Sequence, residues 1–277
     1  MAELVGVFAA SHGPLIVRNW HNVKPVDQGE VSAAFSELGR RIRAARPDVL
    51  IVISPDHWVN FFINNLPSIC VGVGEMNEGP NEPWLKDFPH REIPGHPGLA
   101  EHILNTAIDH DFDPATSHRL ILDHGFCIPL WKAGIDPLPA IVPIILNDIE
   151  PPFPTVKRCH AWGKMLAEAI ASYPEDLRVA VMGTGGLSHS IGEPTMGRIE
   201  PEFDRDCMRL FKSGKERPLI DFLTRRLPTV GNGASEIRNW IAAHGAAGGK
   251  GFELISYKAI PDFYVGFGVA AWNLENP

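Results

Sequence analysis

Four apolar runs in this 277-residue chain break off at a histidine, and that recurrence constrains the fold more than any other feature. Val49-Leu50-Ile51-Val52-Ile53 is followed by Ser54-Pro55-Asp56-His57. Such a run of branched aliphatic residues reads as a strand buried on both faces that delivers polar side chains where it ends. Leu4–Ala10 ends at Ser11-His12-Gly13-Pro14, Ile121-Leu122 runs into Asp123-His124, and Val179–Met182 leads through a glycine-rich turn to Ser188-His189. In open α/β sheets the carboxyl ends of the strands are where ligands bind. Each histidine alone also has an ordinary reading. Asp56 can simply turn the chain after Pro55, and an isolated imidazole is a common core or surface residue.

The segments between these runs predict helices and further strands. Val31, Ala34, Phe35, Leu38 and Ile42 recur at helical spacing up to Ala45, with Arg40, Arg41 and Arg43 on the other side, and Pro47-Asp48 closes the helix. Strand, loop, helix and strand then form a βαβ unit, in which parallel strands would put His12 and His57 at one edge. Ile69–Val73 reads as a strand and Asn77–Pro94 as a long loop of the lid or binding type. Pro97–Asp109 and Val156–Ser172 read as helices, and Ala140–Leu146 as a strand whose Pro143 argues for an edge or a bulge. Ile199–Leu227 is helical in pattern, and Ser235 is placed to cap a helix running from Glu236 to Ala243. Ile260–Trp272 closes the chain as one strand or two short ones. The expected architecture is a single α/β domain over residues 1–277, a central mixed β-sheet flanked by helices with the active site at the strand C-terminal edge.

Composition narrows the function. A hydrophobic content of 44% supports a sizeable core. The formal net charge of −8, without a Lys/Arg run, argues against a nucleic-acid surface or an anionic membrane face. Cys70, Cys127, Cys159 and Cys207 form no Cys-x-x-Cys pair, so neither a zinc knuckle nor a disulfide framework is indicated. Met1–Ala10 carries Glu3 and no basic flank, and no stretch approaches a membrane-spanning length. A cytoplasmic protein that contacts neither nucleic acid nor membrane is expected. Twelve histidines direct attention to metal or acid–base chemistry.

His12, His57, His124 and His189 at one sheet edge would surround a ligand crevice. Two neutral imidazoles and one carboxylate on one face of an iron(II) ion leave positions open, the arrangement of non-haem oxygenases, and zinc hydrolases use much the same ligands. The ligand types leave that choice open. Gly183–Gly186 lacks the Gly-Lys-Ser/Thr ending of a phosphate loop and the Gly-x-Gly-x-x-Gly spacing of a dinucleotide site. Its glycines are read as turning the chain tightly and aiming Ser188-His189 into the cleft. Glu236 by itself reads as an ordinary first-turn glutamate. Neither Ser11 nor Ser188 lies in a Gly-x-Ser-x-Gly elbow, which disfavours a serine nucleophile.

Ser11-His12, Pro55-Asp56-His57, Asp123-His124-Gly125-Phe126, Gly183-Thr184-Gly185-Gly186-Leu187-Ser188-His189 and Ser235-Glu236-Ile237-Arg238-Asn239-Trp240 follow one another in a telling order. It is the order of the class III extradiol ring-cleavage dioxygenases, which the chain resembles over nearly its whole length. Ile260-Pro261 and Gly266-Phe267-Gly268 extend the match towards the C-terminus. The resemblance implies iron(II)-dependent cleavage of a catecholic substrate beside its two hydroxyls, with O2, to a ring-opened semialdehyde or keto acid in aromatic catabolism. It implies His12, His57 and Glu236 as metal ligands, with His124 and His189 as acid–base residues beside them. His189 would be the base that deprotonates the catechol and His124 the proton donor, though these roles could be exchanged. A homo-oligomer is also implied, covered in some relatives by a small accessory subunit. Loop Asn77–Pro94 and the tail Tyr257–Phe267 are candidates for substrate selection, with Lys258 either a partner for a substrate carboxylate or an exposed lysine. The competing readings are a zinc-dependent hydrolase and a metal-free, non-catalytic relative on the same fold. Retention of all five proposed site residues weighs against the second of these.

Overall fold

The apolar runs form the middle of one large sheet in the computed structural model, which describes residues 1–274; the last three positions of the expected 1–277 domain lie outside the described residues. In chain order the strands are β1 (Glu3–Ala10), β2 (Val49–Ser54), β3 (Ile69–Gly72), β4 (Met76–Gly79), β5 (Arg91–Pro94), β6 (Ala115–Ser117), β7 (Ala140–Leu146), β8 (Arg178–Thr184), β9 (Phe252–Ile260) and β10 (Val265–Trp272). The helices are α1 (Leu15–Arg18), α2 (Pro25–Ala45), α3 (Pro97–Asp109), α4 (His124–Lys132), α5 (Val156–Ser172), α6 (Pro201–Ser213), α7 (Glu216–Arg226) and α8 (Ile237–Ala246). Eight strands make a mixed sheet in the order β6-β3-β7-β2-β8-β1-β10-β9, while β4 and β5 form a separate hairpin. Its centre, β7-β2-β8-β1, is parallel. No helix among the described residues is long and apolar enough to cross a membrane.

Helices cover both faces of the sheet, so its central strands are apolar over most of their length, and all six residues of β2 are buried. Alternate side chains serve the two faces. Val49, Ile51 and Ile53 share a core with Trp162, Leu166 and Trp240, and Leu50 and Val52 share the other with Phe35, Leu38 and Phe126. β8 comes last in sequence among the parallel strands yet inserts between β1 and β2. The expected βαβ pair is therefore parallel but not adjacent. The loops that follow β1, β2 and β8 open side by side at the carboxyl edge, where the strand order reverses.

Three local expectations are corrected. Pro143 does not mark an edge, because β7 lies between β3 and β2. The β3–β7 ladder stops at Val71↔Ile144, and Gly72 leaves room for the proline ring, since a Cβ there would stand 2.6 Å from Pro143 Cγ. His124 does not end a strand. It is the first residue of α4, and Asp123 caps that helix by accepting from Gly125 N. Ser235 caps nothing: Asn232–Glu236 is a short 3-10 turn, and Glu236 itself stands at the N-cap of α8.

Helix α8 approaches α5 closely because glycines face it. A Cβ on Gly163 would lie 1.9 Å from Ala242 O, and one on Gly245 would lie 2.3 Å from His160 O. The helix that begins at Glu236 is therefore seated by backbone contact. Gly163→Val should destabilise the protein by at least the ~1–3 kcal/mol typical of overpacking, read as a lower urea midpoint. An unchanged midpoint would mean that the two helices do not meet there.

Candidate metal centre and catalytic cleft

The loops after β1, β2 and β8 each contribute one imidazole, and each imidazole is held from behind. After β1, Ser11 is pinned to β10 by two hydrogen bonds: its N donates to Gly268 O, and its Oγ accepts from Gly268 N, both 2.9 Å. His12 follows, its Nδ1 hydrogen bonded to Thr184 Oγ1 at 3.1 Å. After β2, Asp56 accepts from Val59, Asn60 and Phe61 N, so it turns the chain, as its ordinary reading has it. His57 donates from both its backbone N and its Nδ1 to Asp123 Oδ2, at 2.7 and 3.0 Å. After β8, His189 Nδ1 donates to Leu187 O at 2.9 Å. The fourth imidazole, His124, is held by Glu82 Oε1, 2.6 Å from its Nδ1.

These rings gather around one carboxylate. Glu236 Oε2 is 3.4 Å from His12 Nε2, and Glu236 Oε1 is 3.8 Å from His57 Nε2 and 3.5 Å from His189 Nε2. His124 closes the group from the other side, its ring centroid 4.0 Å from that of His57 and 5.6 Å from that of His12. One nitrogen from each of His12, His57 and His124 lies within 4.8 Å of the others. All five side chains named from the sequence therefore meet in one cleft. The glycine pair before Leu187 makes the meeting sterically feasible. Gly185 (φ 108°) and Gly186 (φ 60°) adopt backbone angles that side chains disfavour. A Cβ on Gly185 would stand 2.7 Å from Glu236 Oε2, and Gly186 N donates to that oxygen at 2.6 Å.

The electrostatics suit metal ligation. Burial lowers the pKa of His12 and keeps its imidazole neutral. Burial also acts to lower that of His57, but the carboxylates of Asp123 and Glu236 outweigh it and hold it well above its ordinary value. Burial pulls the Glu236 carboxyl upward, yet the imidazoles of His12 and His189 hold it well below the usual range. His12 Nε2 is buried with no hydrogen-bond partner, and such atoms in native proteins call for an explanation. Imidazole nitrogens converging on an ionised carboxylate, with the neutral His12 ring presenting an Nε2 that has no hydrogen-bond partner, are a donor set for a divalent cation, whose binding would displace the proton from His57.

A cavity of about 400 Å³ opens onto this group. Asp148 also lines it and was not singled out from the sequence. The signal was there, because the apolar run Ala140–Leu146 breaks at Asn147-Asp148 just as the other strands break at histidines. Asp148 Oδ2 accepts from Asn239 Nδ2 at 2.9 Å, and burial, followed by the charge of Glu236, raises its pKa well above the ordinary value. Glu82 and Asp123, which hold His124 and His57, were likewise given no role, since only the fold shows which carboxylate backs which ring. Of the segments expected to select substrate, the tail supplies Phe263 and Val265 to the cavity wall. The loop reaches the site indirectly, through Glu82 and through Trp84, whose ring centroid is 5.2 Å from that of His124. Lys258 is a surface residue paired with Asp27 and Glu30. Ser188 Oγ donates to Asp204 Oδ2 and accepts from Glu200 N, which commits it to holding the loop rather than to nucleophilic attack.

Sheet, cleft and histidines together are those of an aromatic ring-opening dioxygenase. Residues 6–268 match the family described as the catalytic LigB subunit of aromatic ring-opening dioxygenase, and the chain belongs to that family. Among curated proteins it is 32% identical to the 2,3-dihydroxyphenylpropionate/2,3-dihydroxicinnamic acid 1,2-dioxygenase of Klebsiella pneumoniae, over 81% of this chain and 68% of that one. The enzyme of the same name from Paraburkholderia phymatum is 27% identical over 93% and 94% of the two chains. The crystal structure of uncharacterized protein JW3007 from Escherichia coli K12 shares the fold, with a TM-score of 0.63 and 15% identity over 87% of this chain and 92% of that one.

Proposed function

We propose that this protein cleaves a catechol beside its two hydroxyls, using iron(II) held by His12, His57 and Glu236 and consuming one O2 per ring opened, to a ring-opened semialdehyde or keto acid. The observation that carries the reading is the convergence of His12, His57 and His189 Nε2 on the buried Glu236 carboxylate. Bound iron(II) would supply open positions at which catecholate and dioxygen meet, and the redox chemistry that joins them. The chain's own residues then handle protons and position. His189 has its Nδ1–H committed to Leu187 O, so Nε2 carries the lone pair that accepts a proton from a substrate hydroxyl. His124 has Nδ1–H committed to the Glu82 carboxylate, so its Nε2 carries a proton only in the imidazolium form, and it is as the imidazolium that it would hand a proton to the oxygen released when the ring opens. Asp123 orients His57 in the carboxylate–histidine–metal manner.

Oxygen uptake by anaerobically iron(II)-loaded protein, measured against a panel of catechols, tests this directly. One O2 consumed per yellow ring-fission product is the expected result, and iron-loaded protein inert towards every catechol would overturn it. Asp123→Asn should weaken metal binding by about 10–100-fold, the usual effect of losing an outer partner of a ligating histidine, read by titrating metal-free protein. Unaltered affinity would remove Asp123 from that role. A second reading follows from the His12, His57 and His124 nitrogens lying within 4.8 Å of one another, because three histidines are a zinc-hydrolase ligand set. Zinc-dependent hydrolysis without oxygen uptake would favour it.

A further inference from the structure

Beyond the polar cluster, the cavity is lined by Leu15, Trp58, Ile149, Ile191, Phe263 and Val265, and by no lysine or arginine among the described residues. Trp58 and Ile191 stay 38% and 43% exposed at its wall, so an apolar rim faces whatever enters. Glu150 also lines the cavity, and its carboxylate is in no ion pair among the described residues. An adjoining outer cavity of about 540 Å³ shares Ile149, Glu150 and Asn232 with the first. Its one basic side chain among the described residues, Arg198, is already paired with Glu200, and Glu193 adds a further negative charge.

We infer that the site selects catechols whose ring substituent is uncharged and apolar, and that Glu150 and the apolar rim turn away catechols bearing a carboxylate. This rests on the ring-cleavage reading above. A substrate carboxylate would either lose its hydration against apolar side chains with no cation to replace the water, or point towards Glu150. An alkyl or ester group of the same length loses nothing of that kind and removes its surface, with that of Trp58 and Ile191, from water. The preference runs opposite to what the names of the relatives would suggest, since dihydroxyphenylpropionate is an acid.

A pair of substrates that differ in charge and by one methyl group tests the inference, and a Glu150 variant separates the charge from the methyl. With iron(II)-loaded protein, kcat/KM for the methyl ester of 2,3-dihydroxyphenylpropionate should exceed that for the free acid by about tenfold or more, the scale on which pockets discriminate single groups. The same comparison with protocatechuate and its methyl ester covers the other ring position. Glu150→Lys should narrow the ester-to-acid ratio by about tenfold. A ratio of one or below in both pairs would overturn the inference while leaving ring cleavage intact, and an unchanged ratio in Glu150→Lys would overturn the role of that residue. Failure to turn over either member of either pair would count against the ring-cleavage reading itself, and the selectivity would fall with it.

Discussion

Glu236→Ala should leave the protein without bound metal after desalting and without ring-cleaving activity. The carboxylate supplies the only negative charge in the proposed donor set, and it stands within 3.8 Å of three imidazole nitrogens. Losing a ligand should cost more than the ~10–100-fold in affinity that losing an outer partner costs. Alanine would also strand Gly186 N, which donates to Glu236 Oε2 at 2.6 Å, and a buried unpaired N–H costs roughly 1–3 kcal/mol. Glu236→Gln separates the two effects, because the amide oxygen can still accept from Gly186 while the charge is gone. Metal content by atomic spectroscopy, read beside thermal unfolding, should show a glutamine variant that folds well and binds metal poorly. Full metal occupancy in both variants would hand ligation to His12, His57 and His124, the three-histidine set.

Removing His189 or His124 should have the opposite signature, with metal retained and turnover lost. A positioned acid or base contributes typically ~10²–10⁴-fold, so kcat should fall by that factor in His189→Ala and in His124→Ala. Their pH profiles should separate the roles. A general base works only when deprotonated, so removing it should flatten the acidic limb; an acid works only when protonated, so removing it should flatten the alkaline limb. We expect the first in His189→Ala and the second in His124→Ala, and the reverse pattern would exchange the assignments. The lost groups are held by different partners, Leu187 O for His189 and Glu82 for His124. Metal lost in His124→Ala would move that residue among the ligands.

What local sequence encodes and what it leaves to distant segments divide along a physical line. Strands buried on both faces read as near-continuous apolar runs, which is why β1, β2, β7 and β8 could be read from local pattern alone. Helices α2, α3 and α5 declared themselves through one apolar face and their caps or breakers. The histidines could be found because a polar residue that ends an apolar run stands out, and Glu236 because of the motif around it. Local pattern misled wherever a distant segment decided the outcome. Pro143 fits an interior strand because Gly72, far away in sequence, leaves space for its ring. His124 starts a helix because the Asp123 side chain caps it while also holding His57 from another loop. Glu236 looked like a routine helix-start residue, since nothing near it in sequence shows that Gly185 and Gly186 clear a place for its carboxylate. The sequence by itself thus determined the layers of the fold and which side chains could do chemistry. Only the tertiary structure decided which of them face one another, because β8 inserts between β1 and β2 and draws the three loops together, and hydrogen-bond partners across a sheet edge are set by strand order and not by spacing along the chain.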